Sequence, residues 1–188
     1  MMLGARTAAW AKSGSPTPAY GGLCFTAETA NSSVQLTAVG SAPAVTLVKS
    51  FDGINWEAYA VGEVIDLPSI GKYVYLAAGE GGNNTFSSAP SNYHKFVING
   101  LVSASGDITS LRNFDLAQTT LAVFCYYSMF KGCTHLALIK VNFTAWGTQT
   151  NTWVSNVAST GTFYKPTALT EEYGTSKIPT GWTVVNID

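Results

Sequence analysis

Cysteine and histidine are the side chains of this sequence best suited to bind a metal ion, and they are few. Cys125, Cys133 and His135 lie close together, whereas the second histidine, His94, is distant from them. A structural zinc site needs four ligands, usually in tightly spaced pairs, and the chain has no C-x-x-C pair. The spacing therefore predicts no metal site and favours Cys125 and Cys133 as buried thiols in an apolar core.

Nucleophilic or acid–base catalysis would require other patterns. The sequence has neither a G-x-S-x-G motif nor a cysteine, histidine and asparagine set in a supporting context. Glu171 and Glu172 are adjacent, so they cannot face each other across a glycosidic bond as the carboxyl groups of a glycosidase do. The glycine-rich run Gly79 to Asn84 lacks the lysine and the hydroxyl residue of a phosphate-binding loop. We expect no enzymatic activity, no catalytic residue and no cofactor.

The segment SFDGINW, Ser50 to Trp56, is weakly similar to the Asp-box hairpin of sialidase propellers. A propeller would repeat the motif, whereas this chain has one imperfect copy. Asp52-Gly53 lies between apolar runs and is a strong hairpin signal, which predicts a turn that packs Trp56 on a sheet. Tyrosine and tryptophan occur in numbers too large for all to be interior, and exposed ones favour protein contacts and sugar stacking.

The composition limits the classes of partner. The 188 residues are 46% hydrophobic and 11% charged, with 10 basic and 11 acidic side chains and a net charge of −1. This balance offers no basic surface for nucleic acid or anionic lipid. No apolar run approaches the length of a membrane span, and the N-terminal sequence lacks the apolar core of a secretory signal. Low charge suits a subunit of a larger assembly.

The first 21 residues are predicted to form an extended N-terminal docking arm. Proline and glycine recur too densely between Ser13 and Gly22 for a helix or a strand. An arm without a core of its own needs an external partner to hold it. The side chains predicted to dock it to a larger particle are Leu3, Arg6, Trp10 and Lys12.

Residues 22–97 alternate apolar and polar side chains with period two, and turn residues separate the runs. The pattern predicts a small β-sandwich, immunoglobulin-like in size. The predicted strands are Cys24–Thr29, Val34–Val39, Val45–Ser50, Glu57–Val61, Tyr73–Ala77 and Lys95–Ile98.

Residues 98–188 have a different pattern, in which strand, turn and short helix recur every 20 to 35 residues or so, as in a β/α solenoid. The predicted strands are Val97–Ala104, Leu136–Phe143, Gly161–Tyr164 and Trp182–Ile187. The predicted short helices are Thr109–Phe114, Phe124–Phe130, Asn151–Val157 and Thr167–Tyr173.

The stretch Leu121 to Leu136, LAVFCYYSMFKGCTHL, carries apolar residues at spacings of three and four, typical of the inward face of a short helix. It resembles the leucine-rich repeats of BspA-like surface proteins of gut bacteria and of their crAss-like and related bacteriophages. Other segments resemble the same architecture in order, among them FTAETANSSVQL and the closing GTFYKP and EYGTSKIPTGWTV. The family usually has many repeats, whereas this chain has one complete copy. The predicted repeat core is Leu121, Cys125, Met129, Phe130, Cys133 and Leu136.

The resemblance implies a mainly β protein with short helices: an immunoglobulin-like sandwich at 22–97, then a truncated leucine-rich-repeat β/α solenoid with its C-terminal cap at 98–188. It also implies a non-enzymatic bacteriophage virion protein, a capsid decoration or head fibre or a short tail fibre, with a role in host adhesion. The expected partners are other capsid or tail proteins, a host surface glycan or protein, and further copies of the chain, as a trimer. Nucleic acid and membrane insertion are not expected.

Two alternatives stay open. A bacterial cell-surface binding module would carry an apolar leader in a longer reading frame. A glycan-active enzyme would need two carboxylates on facing elements, and the sequence offers no obvious pair. The expected location is the virion, assembled in the host cytoplasm, with the bacterial cell surface as the alternative.

Overall fold

A computed structural model describes residues 22–80, 84–106, 111, 126–141 and 143–187. The predicted docking arm, with Leu3, Arg6, Trp10 and Lys12, lies outside the described residues. The described chain is mainly β, and it includes a 3-10 turn at Thr148–Thr150. The strands are β1 (Leu23–Ala27), β2 (Ser32–Val39), β3 (Leu47–Ser50), β4 (Glu57–Tyr59), β5 (Val64–Leu67), β6 (Tyr73–Ala78), β7 (Ser87–Ala89), β8 (Asn92–Asn99), β9 (Val102–Gly106), β10 (Leu138–Lys140), β11 (Thr162–Pro166) and β12 (Thr183–Ile187).

Two antiparallel sheets form the first part, residues 22–106, which we call the antiparallel region. One has the order β4-β3-β6-β1-β9 and the other β5-β2-β8-β7. Alternation gives β2 one buried row, in which Val34 and Leu36 are inaccessible to solvent. The rings of Phe25 and Phe96 meet edge to face at 4.8 Å, so the buried rows of the two sheets form one core.

Local patterning locates most of these strands. All six strands predicted between residues 22 and 97 are present, with ends shifted by a few residues. The short strands β5 and β7 were not predicted. The immunoglobulin-like strand order is not confirmed, because β1 pairs with β6 and β9, whereas β2 pairs with β5 and β8. In an immunoglobulin constant domain the first two strands share a sheet.

The predicted strand Val97–Ala104 is wrong, because the chain turns in its middle. Gly100 has a φ of +74°, which favours glycine, and its position leaves no room for a Cβ beside Ser32. β8 ends before this turn and β9 begins after it, in the other sheet. The antiparallel region therefore continues to residue 106, beyond the predicted boundary at 97.

A three-stranded parallel sheet, in the order β10-β11-β12, organises residues 126–187, which we call the parallel region. Leu138 pairs with Thr162, and Thr162 pairs with Thr183. The turns between the strands are stacked too, because Ser128 contacts Thr152 through their hydroxyl groups at 2.8 Å, 24 residues apart. Each coil of chain therefore lies on the coil that follows it.

The short helices predicted at Phe124–Phe130, Asn151–Val157 and Thr167–Tyr173 are wrong in their described residues, which form turns and irregular chain. Ser128 and Thr152 have φ values of 53° and 54°, which a right-handed helix excludes. Their backbone N–H groups also bond outside their own turn: Ser128 N donates to the carbonyl of Asn151 at 3.1 Å. The apolar spacing of three and four thus marks inward side chains on stacked turns. Of the predicted helix Thr109–Phe114, only residue 111 is described.

The two regions share one core. Phe96 of β8 donates its backbone N–H to the carbonyl of Met129 at 2.7 Å, and its ring stacks on Phe130 at 5.6 Å. The aromatic contacts continue from Phe130 to Trp153 and from Trp153 to Phe163, each at 6.1 Å. The turn at 126–133 therefore joins the parallel region to β8 by a hydrogen bond and a ring contact.

Candidate functional site

The described residues of the predicted repeat core are structural. Met129, Phe130, Cys133 and Leu136 are at most 2% exposed, whereas Leu121 and Cys125 lie outside the described residues. The thiol of Cys133 donates to the carbonyl of Phe96 at 3.5 Å, and burial raises its pKa to about 12. Cys133 is therefore a protonated packing residue, because nucleophilic attack and metal binding need the thiolate.

The two histidines do not converge with it on a metal site. His94 is buried, with Nδ1 at 3.1 Å from the carbonyl of Phe86, and burial lowers its pKa. His135 is exposed. In the part of the chain that the structure describes, no group of three or more histidine, cysteine or acidic side chains could hold a metal ion.

The adjacent carboxylates are used locally. Glu172 accepts a hydrogen bond from the Thr170 hydroxyl at 2.8 Å and pairs with Lys177 at 3.3 Å, and both contacts lower the pKa of Glu172. Glu171 accepts a hydrogen bond from the hydroxyl of Tyr173. These contacts hold the chain between β11 and β12.

The most distinctive surface is the β3–β4 loop surface, which we define as residues 49–57. Its loop is closed by Asp52, one oxygen of which accepts the backbone N–H groups of Ile54 and Asn55 at 2.8 and 2.7 Å. The same oxygen also accepts the hydroxyl of Ser50 at 2.9 Å, and the other oxygen accepts the side-chain amide of Asn55 at 2.7 Å. Gly53 turns the chain with a φ of +73°. The predicted hairpin at Asp52-Gly53 is confirmed by the pairing of β3 with β4.

These hydrogen bonds set the electrostatics of the loop. The backbone N–H of Asn55, its side chain and the N–H of Ile54 hold the pKa of Asp52 far below its ordinary value. All of these hydrogen bonds come from within the loop, so Asp52 orders the loop. Beside it, Lys49 contacts Glu63 and Glu57; burial lowers the pKa of Lys49, but these carboxylates outweigh burial and raise it.

The ordered loop exposes two apolar side chains, Phe51 at 48% and Ile54 at 73%. Behind them Trp56 is buried at 8% exposure and packs with Tyr75, whose ring centroid is 6.4 Å from that of the indole. This confirms that the hairpin packs Trp56 on a sheet. A groove of about 250 Å³ lies between these groups; its lining residues are Lys49, Ser50, Phe51, Asp52, Asn55, Trp56 and Glu57.

The sequence predicts the turn of the β3–β4 loop surface but not which of its aromatic side chains are exposed. Of the aromatic residues considered too numerous for the interior, Tyr126 and Trp153 are fully buried, and Tyr73 and Tyr173 are exposed. The exposure of Phe51 was not predicted, because an apolar side chain beside a strand is ordinarily assigned to the core. The motif Ser50-x-Asp52 was the available signal, since its side chains close the loop that exposes Phe51.

The described fold thus defines a mainly β protein with two antiparallel sheets and one parallel sheet, and with an ordered, partly apolar loop surface. Comparison of the chain with protein-family models, curated proteins and solved structures finds no match. Among the described residues, no helix has the length and apolar character needed to span a membrane.

Proposed function

We propose that the chain is a non-enzymatic structural protein of a bacteriophage virion, a capsid decoration or head fibre or a short tail fibre, with a role in adhesion to the host surface. The observation that carries the proposal is the order of its parts. The resemblance to BspA-like proteins implies a β-rich head followed by a repeat stack. In the described chain, a parallel sheet with contacts 24 residues apart follows two antiparallel sheets.

The parallel region is, in this proposal, a short solenoid of the leucine-rich-repeat type with its cap, and the antiparallel region is the sandwich head. Three features support the solenoid. The strands are parallel and the turns stack. The inward side chains Met129, Trp153 and Phe163 fill a common interior. Such a stack depends on neighbouring coils, because no coil can bury its apolar side alone.

The use of charged groups favours a structural role over catalysis. Asp52 closes a loop, and Glu172 pairs with Lys177. Lys165, at 3% exposure, donates to the carbonyl of Leu169 at 2.7 Å. Catalytic acids and bases instead have to meet a substrate, whereas these side chains bond to their own neighbourhood.

Mass spectrometry of purified phage particles tests this proposal. We expect the chain in the virion at a copy number comparable with that of a capsid or tail protein. Light scattering of the purified chain should give a homo-oligomer, with a trimer as the expected state. Absence from virions together with recovery from the bacterial surface would instead favour the cell-surface binding module.

The docking arm has its own test within this proposal. Deletion of residues 1–20 is expected to abolish attachment to particles while the thermal unfolding of the remaining chain stays unchanged. Charge and apolar variants at Arg6 and Trp10 should weaken attachment separately. A truncated chain that still assembles on particles would show that the arm has another role.

A further inference from the structure

The indole N–H groups of the described tryptophans differ in whether they have a hydrogen-bond partner. Trp146, Trp153 and Trp182 each donate Nε1–H to a backbone carbonyl, at 2.8, 2.9 and 2.8 Å. Trp56 Nε1 is buried and has no hydrogen-bond partner among the described residues. A buried donor without an acceptor is costly and uncommon in folded proteins. The side chain of Trp56 lies in the lining of the groove of the β3–β4 loop surface, so its indole resonance reports on that groove.

The groove combines the groups that a sugar ring requires. The ring of Phe51, 48% exposed in the groove lining, provides apolar surface for the C–H groups of a pyranose. Asn55 and Glu57, both exposed, offer planar polar groups to its hydroxyls. The volume of about 250 Å³ is below the ~300–1,000 Å³ of sites for drug-sized ligands, and it suits one or two sugar residues.

The geometry of the loop favours a ligand over a large protein interface. Asp52 holds the loop by hydrogen bonds to Ile54 and Asn55, so the loop backbone next to Phe51 is ordered before any ligand binds, which reduces the entropic cost of binding. A stable protein interface buries roughly 1,200–2,000 Å², much more than the side chains of Phe51 and Ile54 provide.

Local charge selects the class of sugar. Two carboxylates, Asp52 and Glu57, line the groove with the single ammonium group of Lys49, which also pairs with Glu63. The excess of negative charge repels sialic acids, uronic acids and phosphate-bearing polymers. A neutral saccharide meets no such repulsion.

We propose that the β3–β4 loop surface binds a neutral saccharide, with a pyranose on the exposed ring of Phe51 and its hydroxyls on the polar groups of Asn55 and Glu57. The inference rests on the adhesive role in the proposed function and names the ligand class of that role. The two fail separately, because particle membership is measured on virions and sugar binding on the isolated chain.

Nuclear magnetic resonance of the intact chain labelled with ¹⁵N tests the inference, because indole N–H resonances report each tryptophan. The probes are cellobiose, maltose, lactose and diacetylchitobiose, with sialyllactose as the anionic control. At least one neutral disaccharide is expected to shift the Trp56 indole resonance in a saturable manner, while those of Trp153 and Trp182 stay in place. Sialyllactose is expected to leave the Trp56 resonance unchanged.

Matched variants place the binding at this surface. Phe51→Ala is expected to weaken the affinity by about tenfold or more. Tyr173→Ala removes an aromatic side chain of the same exposure, 49%, from the parallel region, and it should leave affinity unchanged. Trp56→Phe keeps a ring beneath the groove and removes only a buried indole N–H, so it should leave affinity unchanged while the chain stays folded.

Three results would overturn the inference. The first is that no neutral disaccharide shifts the Trp56 resonance of the folded chain. The second is binding that Phe51→Ala leaves intact, because the platform would then be elsewhere. The third is tighter binding of sialyllactose than of the neutral sugars, because the carboxylates of the loop surface would then not select against negative charge.

Discussion

The antiparallel and parallel regions both pair their buried backbone groups, but the paired residues are separated by different distances along the sequence. In the antiparallel region, hairpins such as β3–β4 pair strands across a short loop. In the parallel region, Phe130 N donates to the carbonyl of Trp153 at 2.8 Å, and Trp153 Nε1 donates to that of Lys177 at 2.9 Å. A coil of the parallel region therefore has its partners in the next coil, and its conformation depends on that coil being present.

This difference predicts where the molecule loses structure first. A hairpin retains its local pairing when a distant contact is lost, whereas a stacked coil loses hydrogen bonds and packing together with its neighbour. The contact of the turn 126–133 with Phe96 joins the two regions, so the parallel region can open without separating the two antiparallel sheets.

The largest expected effect is that of Trp153→Ala. Trp153 is fully buried among the rings of Phe130, Phe143 and Phe163 and bonds to the following coil. We expect a loss of about 3–5 kcal/mol in the free energy of unfolding, measured by urea denaturation. Hydrogen exchange should show the loss of protection in residues 126–187 before residues 22–106.

Phe25→Ala is the matched change in the antiparallel region, because Phe25 is also fully buried. A loss of similar size, about 3–5 kcal/mol, should here reduce protection throughout the chain, since Phe25 lies at the contact between the two sheets. Equal patterns of exchange in the two variants would contradict the difference between the regions.

The same contrast explains which elements the sequence predicted. Strands such as β2 follow from alternation within a few residues, and Asp52-Gly53 marks its hairpin locally. The turn at Ser128 could not be read in this way, because its left-handed conformation coincides with bonds to Asn151 and Thr152, more than twenty residues away. An apolar spacing of three and four fits an amphipathic helix and a stacked turn equally well.

In the candidate site, too, the sequence predicts the local contacts and does not predict the tertiary ones. The hydrogen bonds of Asp52 are local, and the motif Ser50-x-Asp52 predicts a turn. That the turn exposes Phe51 while burying Trp56 depends on how Tyr75 of β6 packs against the loop. That packing is a tertiary contact, and sequence patterning carries no signal for it.

An intermediate effect is expected for Lys165→Met. Lys165 is 3% exposed, and its ammonium group donates to the carbonyls of Leu169 and Pro166 at 2.7 and 3.4 Å. Its removal leaves the carbonyl of Leu169 without this donor, and we expect a loss of about 1–3 kcal/mol in urea denaturation. Because the partners are backbone groups in the interior, the loss should change little between low and high salt.

Lys49→Met is the corresponding change in the antiparallel region. Lys49 pairs with the carboxylates of Glu57 and Glu63, which are 64% and 35% exposed. Such pairs contribute about 0–1 kcal/mol and are screened by salt, so the loss should be smaller and should diminish in high salt. A larger loss for Lys49→Met, or a salt-dependent loss for Lys165→Met, would contradict the assignment of the two lysines.

The smallest expected effect is a change in pH dependence on substitution of Asp52 by asparagine. The pKa of Asp52 is lower in the folded chain than its ordinary value of about 3.9. The carboxylate therefore stabilises the fold above that value and loses its contribution as the pH falls through the lowered pKa. Asp52→Asn should make the unfolding free energy depend less steeply on pH between about pH 5 and pH 2.

Glu172→Gln is the control in the parallel region, since the pKa of Glu172 is also lowered, by Thr170 and Lys177. Asp52 accepts backbone N–H groups as well as side chains. Its substitution should therefore reduce the pH dependence of the unfolding free energy more than the substitution of Glu172 does. Equal slopes in the two variants would show that the loop of the antiparallel region is no more dependent on its carboxylate than the turn before β12.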